Sequence, residues 1–172
     1  REAAYIGENF LIGQNRVILE PRPLATLLDA LNINNDELVL DIGTGLGYSS
    51  AVISLLAEVV IAVEDDSSLA SEAEEILSEI GVDNVVVQVS KLEDGAPEHG
   101  PYDVIILQGG VEEIPGSIIN QLKDGGRVGA IYIEEGLGTA KIGFKLNDKI
   151  NWRYSFNAAA PVLPGFFKQK DF

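Results

Sequence analysis

Residues 38–50 read LVLDIGTGLGYSS, and the order of residue types in this stretch decides the fold. An apolar run of strand length ends in Asp41, glycines follow at positions 43, 45 and 47, and Tyr48 opens a segment of helical composition. A strand that turns through glycines straight into a helix is the βα unit of a doubly wound α/β protein. Its loop, at the carboxyl edge of the sheet, is where such folds receive a nucleoside-bearing ligand. Glycine suits that turn because the backbone can take positive φ and leave room for a ligand.

The same alternation continues on both sides. Apolar spacing predicts strands at 38–42, 59–63, 84–89, 103–108 and 127–133, with helices at 24–31, 48–57, 67–80 and 114–122. Pro21 and Pro23 suit the start of the first helix, Gly81 the end of the acidic third, and Gly125 and Gly126 the end of the last. The strand segments VVIAV, NVVVQV and DVIIL are nearly unbroken apolar runs, as parallel strands covered on both faces require. Residues 141–146 and 152–156 alternate instead, like a final antiparallel pair with Trp152 and Phe156 on one face. Residues 158–165 read as an ordered but irregular tail, and the chain ahead of the first helix as a loop through Gly13. The expected architecture is therefore one α/β domain over residues 1–172. It is a doubly wound, mostly parallel, Rossmann-like seven-stranded sheet with an antiparallel C-terminal strand pair.

Composition limits the partners. The chain has 172 residues, 12 Lys plus Arg against 27 Asp plus Glu, and a formal charge of −15, a field that repels nucleic-acid backbones. It has no cysteine, so disulfides, thiolate catalysis and thiolate metal sites are excluded, and no metal site is expected. No apolar run reaches the ~18 residues of a membrane span, and no leader pattern opens the chain. The expectation is a monomeric protein of the cytoplasm with no membrane or nucleic-acid partner. The chain starts at Arg1 and contains no methionine, which reads as a trimmed fragment or a sequence lacking modified methionines.

The glycine spacing separates cofactor classes. A dinucleotide fingerprint places its third glycine where Tyr48 stands; here that glycine comes one position early, at Gly47. The Lys and Ser/Thr that end a P-loop are missing too, which argues against a nucleoside triphosphate. The pattern points to S-adenosylmethionine, with Asp41 accepting from the cofactor's amino group and Gly43, Thr44 and Gly45 passing close to its amino-acid moiety. Glu64 ends the strand VVIAV and has the geometry to accept hydrogen bonds from both ribose hydroxyls. An NAD-dependent oxidoreductase would share the topology but not the glycine spacing.

Read outward from the loop, DIGTGLGYSSAV, VEDDSSLA, GAPEHGPYDVIIL and LKDGGRV stand in an order and spacing that resembles the protein-L-isoaspartate O-methyltransferase family. The resemblance covers about residues 11–133, and the family segment that would precede Arg1 is missing from it. It implies methyl esterification of isoaspartyl residues in damaged proteins or peptides with S-adenosylmethionine. It also implies that Asp41, Gly43, Gly45 and Tyr48 line the methionine end of the cofactor, Glu64 the ribose and Asp65 the surroundings of adenine. Leu92 stands in the family's adenine-contacting Gly-Asp-Gly, here Ser90, Lys91 and Leu92, and Gln108 replaces a threonine at the end of the fourth strand. The cofactor-binding set expected from pattern and resemblance together is Asp41, Gly43, Thr44, Gly45, Tyr48, Glu64, Asp65, Leu92 and Gln108.

Two departures bear on the reaction. Aligned on Pro21, the family's active-site threonine and serine are Val17 and Leu19, and its glutamine is Glu20. Methyl transfer from a sulfonium is an in-line displacement governed by positioning, and an ionised carboxylate nucleophile needs no general base. That accords with a single histidine, His99, in the turn GAPEHGPY, where it reads as a solvated side chain, and no catalytic residue is assigned. Glu20 would repel a substrate carboxylate. The expectation is a methyltransferase that esterifies isoaspartyl peptides poorly, with a catalytically silent, cofactor- or partner-binding relative as the alternative.

Overall fold

The computed structural model describes residues 9–13 and 16–170. The strands are β1 (Phe10–Gly13), β2 (Arg16–Ile18), β3 (Leu38–Ile42), β4 (Val59–Glu64), β5 (Val85–Val89), β6 (Tyr102–Val111), β7 (Leu122–Glu134), β8 (Leu137–Leu146) and β9 (Lys149–Asn157). The helices are α1 (Pro21–Leu31), α2 (Tyr48–Ser54), α3 (Ser67–Glu79) and the single turn α4 (Gly116–Ile119). Seven strands form one sheet in the order β5-β4-β3-β6-β7-β8-β9, parallel from β5 to β7 and antiparallel from β7 to β9. This is the doubly wound α/β sheet expected from the apolar runs.

Two local expectations are corrected. The loop through Gly13 is a separate antiparallel hairpin, β1–β2, outside the main sheet. The expected antiparallel C-terminal pair is β8–β9, and it joins β7 in a meander, because β7 continues past residue 133 and turns through Glu135 (φ 49°) and Gly136 (φ 79°) into β8. Asn147 and Asp148, at φ 52° and 62°, make the next two-residue turn, a left-handed pair that Asn and Asp tolerate best among residues with a Cβ. Gly125 and Gly126 do not stop a long helix. They lie inside β7, where a Cβ on Gly126 would come within 2.7 Å of the Leu122 side chain and 2.9 Å of the Asp103 carbonyl oxygen. The helix between β6 and β7 accordingly shrinks to one turn.

Strand periodicity divides the core into two layers. Leu40, Ile42, Ile61, Val63, Ile105 and Leu107 point to one face and pack with Ile118 of α4 and with Leu163 and Phe166 of the tail. Val39, Val60, Val104 and Ile106 point to the other and pack with Leu24, Leu27, Leu28 and Leu31 of α1, Ile53 of α2, Val17 of the hairpin and Leu19 just after it. That second layer contains the candidate site.

Arg127 of β7 fastens α1 to the sheet. Its guanidinium donates to the carbonyls of Leu31 and Asn32, where the helix leaves its last acceptors unpaired, and to both carboxylate oxygens of Glu37 at 2.6 and 2.8 Å. Those bonds hold the Glu37 carboxyl below the usual carboxylate range. Arg127→Ala removes all of them at once and is expected to cost about 2–3 kcal/mol, measured as a lower urea midpoint with an unchanged m-value.

Candidate functional site

Register places three polar side chains on one face. Asp41 pairs with Ala62 of β4 and Ile106 of β6, and Glu64 and Gln108 each lie two residues further along their strands. The two-residue period therefore brings all three to the α1 face at the carboxyl ends of adjacent strands. The glycine turn follows directly: Gly43 and Thr44 donate their N–H groups to the Val63 carbonyl at 2.8 and 3.2 Å. Gly43, Gly45 and Gly47 take φ of 84°, 59° and 87°, where a side chain would be strained.

Asp41 is fully buried and holds the turn together. One carboxylate oxygen accepts from the hydroxyls of Ser49 and Ser50, both at 2.6 Å, and the other from the Gln108 amide at 2.9 Å. The Thr44 and Ser50 hydroxyls are 2.8 Å apart. Burial pushes the Asp41 carboxyl above its ordinary range, and these three donors oppose that shift. Three of its roughly four lone-pair positions are thus engaged within the chain.

Glu64 is fully engaged. One of its oxygens accepts from Arg16 Nη2 and from the Gly45 N–H at 2.9 Å. The other accepts from Arg16 Nη1 at 3.0 Å and from the Asp66 N–H at 2.9 Å. Arg16 also donates to Asp65 at 2.8 Å. Burial disfavours the Glu64 carboxylate, but the hydrogen bonds, led by Arg16, outweigh it and hold the group below the usual glutamate range. Asp65, flanking this pair, is pushed up by burial and by Glu64.

The remaining expected residues fall around this centre or away from it. Tyr48 is half-exposed at the start of α2 and, with Val17, Leu19, Gly43, Thr44 and Gln108, lines a cavity of ≈ 10 Å³, about the space of a single water molecule. Leu92 is buried in the opposite core layer, apart from Asp41 and Glu64. Lys91 and His99 are exposed. Val17 and Leu19, which replace the family's hydroxyl residues, are packed into the α1 layer. Sequence reasoning missed Arg16, Ser49 and Ser50. The serines follow the tyrosine in the quoted stretch, in the first turn of α2, and face Asp41. Arg16 carried a signal of its own: a lone cation abutting the apolar run VIL in an acidic chain needs a buried anion, and Glu64 and Asp65 are the acids the strand ends supply.

A parallel sheet ending in an acidic, glycine-turned nucleoside cradle defines the α/β methyltransferase class. Residues 1–151 match the family model for protein-L-isoaspartate(D-aspartate) O-methyltransferase. Relatives named protein-L-isoaspartate O-methyltransferase include one from Syntrophus aciditrophicus, 34% identical over 86% of this chain and 69% of its own. Another, from Methanocella arvoryzae, is 40% identical over 74% of this chain and 70% of its own. A solved protein-L-isoaspartate O-methyltransferase superposes with a TM-score of 0.81 at 27% identity, covering 87% of this chain and 49% of that one. A Plasmodium falciparum structure described as a putative member, in complex with S-adenosyl-L-homocysteine, shares the fold at a TM-score of 0.77 and 20% identity, over 92% of this chain and 81% of that one. The chain belongs to the protein-L-isoaspartate O-methyltransferase family, whose cofactor is S-adenosylmethionine.

As arranged, the residues do not fit that cofactor. Glu64 accepts four hydrogen bonds from the protein and has no lone pair left for two ribose hydroxyls. A Cβ on Gly45 would lie 2.5 Å from the Ile12 side chain, so β1 covers the glycine turn as well. Among the described residues no helix is long and apolar enough to cross a membrane, and no group of three His, Cys, Asp or Glu side chains is placed to hold a metal ion.

A carboxyl held below its usual 4.5 stabilises the fold above that value, and this contribution is lost as pH falls through the folded value. Urea unfolding between pH 6 and pH 3 is therefore expected to show stability falling below about pH 4.5 in the wild type. In Glu64→Gln, about 3 kcal/mol less stable at pH 7, that slope is flatter; equal slopes would show that Glu64 does not supply it.

Proposed function

We propose that the chain is an S-adenosylmethionine-dependent carboxyl methyltransferase that has lost efficient use of isoaspartyl peptides. The cofactor half of this reading rests on the family to which the chain belongs and on the glycine turn between β3 and α2, at the carboxyl end of parallel strands. The chain spans 69% and 70% of the two relatives described above, and their activity enters here as part of the proposal.

The acceptor half rests on one observation. Val17 and Leu19 are buried against α1, so the segment that carries hydroxyls in the family here closes a hydrophobic layer. Nothing at those two positions can hydrogen-bond an acceptor carboxylate. Glu20, at the amino end of α1, follows directly on Leu19 with a negative charge. Displacement at the methyl carbon needs the acceptor oxygen at ~3–3.5 Å and in line, and the protein's contribution is to hold it there. Gln108, which donates to Asp41, and Tyr48, half-exposed on the same cavity, would border that approach. The small size of this cavity favours the second reading, a relative that binds without turnover.

Esterification by the wild type is expected to be detectable with small carboxylates and at least about tenfold less efficient, in kcat/KM, with an isoaspartyl peptide. Glu20→Gln should recover roughly tenfold on the peptide, chiefly through a lower KM, because it removes a repulsion present in both ground and transition states. Efficient wild-type esterification of the isoaspartyl peptide overturns the acceptor assignment. No turnover on any carboxylate, with cofactor bound, leaves the silent reading.

A further inference from the structure

We propose that the β1–β2 hairpin is a built-in competitor of the cofactor: the Arg16 guanidinium occupies the place of the ribose diol on Glu64, and a nucleoside enters only as the hairpin leaves. The inference rests on the reading that this site binds S-adenosylmethionine.

The hydrogen-bond inventory carries it. A ribose presents two adjacent hydroxyl donors to one carboxylate, and Arg16 presents Nη1 and Nη2 to the two oxygens of Glu64 in the same forked manner. The other two acceptor positions belong to the N–H groups of Gly45 and Asp66, part of the cradle itself. Arg16 and a ribose therefore compete for the same two positions and cannot share them. The exchange replaces the charged donor's three hydrogen bonds, two to Glu64 and one to Asp65, with two neutral ones to Glu64, so it disfavours the ligand. The same hairpin lays Ile12 over Gly45 and Val17 beside Gly43 and Thr44, and Leu19, just after it, lines the same cavity. One element thus covers both the ribose and the amino-acid ends of the cradle.

Among the described residues β1 and β2 pair only with each other, so lifting them breaks no hydrogen bond of the seven-stranded sheet's ladders and costs the packing of Val17 in the α1 layer. Arg16 is 5% exposed, yet its Nε has no hydrogen-bond partner among the described residues. A buried donor left unpaired weakens the closed arrangement. Leu11 on the outer side of the hairpin is 69% exposed. Where the closed form dominates, apparent affinity falls by the fraction of molecules that are open.

S-adenosylhomocysteine is the probe, titrated calorimetrically into the wild-type chain, Arg16→Gln and Arg16→Lys, with far-UV circular dichroism to verify folding. Arg16→Gln is expected to bind at least ~10-fold more tightly than the wild type, and Arg16→Lys, which keeps the charge without the fork, to fall between them. Amide exchange on the wild type supplies a readout independent of any substitution: saturating ligand should speed exchange at residues 10–13 and 16–18 while slowing it at 43–50. Equal affinities for the wild type and a folded Arg16→Gln, or ligand-slowed exchange in the hairpin, overturn the competition and leave the cofactor reading standing. Failure of both folded proteins to bind S-adenosylhomocysteine overturns the cofactor reading and this inference together.

Discussion

The two-residue period of three registered parallel strands is the constraint on which the site depends. Asp41 stands level with Ala62 and Ile106, so any polar residue two positions on in β4 or β6 must emerge beside it, on the face covered by α1 and α2. Glu64 and Gln108 occupy those positions. A slip of one residue in either neighbour would send its side chain into the opposite layer, among Leu40, Ile61 and Leu107. The apolar residues on both faces thus fix the register, and the register fixes the site.

The two carboxylates in that frame meet burial in opposite ways. Asp41 is surrounded by neutral donors, two serine hydroxyls and an amide, which satisfy its oxygens without cancelling its charge; its proton affinity rises. Glu64 is met by a guanidinium, and its proton affinity falls despite complete exclusion from solvent. Neutral donors suffice for a carboxylate whose task is to hold a turn. A counterion supplied by a separate hairpin makes the charge state of the second carboxylate depend on where that hairpin sits.

The parallel half of the sheet was legible because strands buried on both faces leave unbroken apolar runs, and the glycine turn was legible because positive φ restricts residue choice so tightly. The meander was harder to read. Half-buried strands such as β8 and β9 carry a diluted alternation, and the turn at Glu135 and Gly136 lacks a strong dipeptide signal. Gly125 and Gly126 misled because the same residue that ends a helix also permits a strand to cross closely over its neighbour, and only the packing at Asp103 and Leu122 distinguishes the two uses. Asp41, Glu64 and Gln108 were found through the strands that carry them. Arg16 was not, because its role is set by a contact across 48 positions, and nothing local to VIL records where its counterion lies.

Gly43 has one more consequence, for the order in which the molecule assembles. A Cβ at that position would touch Arg16 at 3.4 Å and Gln108 and Leu163 at 3.7 Å, so four segments from nearly the whole length of the chain converge on one residue. Leu163 arrives there because Gly110 exchanges hydrogen bonds with Pro161 and Leu163 across the end of β6. Contacts of such sequence separation carry the largest loop-closure cost and form late. During synthesis the sheet from β5 to β7 has all its strands before residue 163 leaves the ribosome. The side of the glycine turn that Leu163 covers is therefore the last part to close.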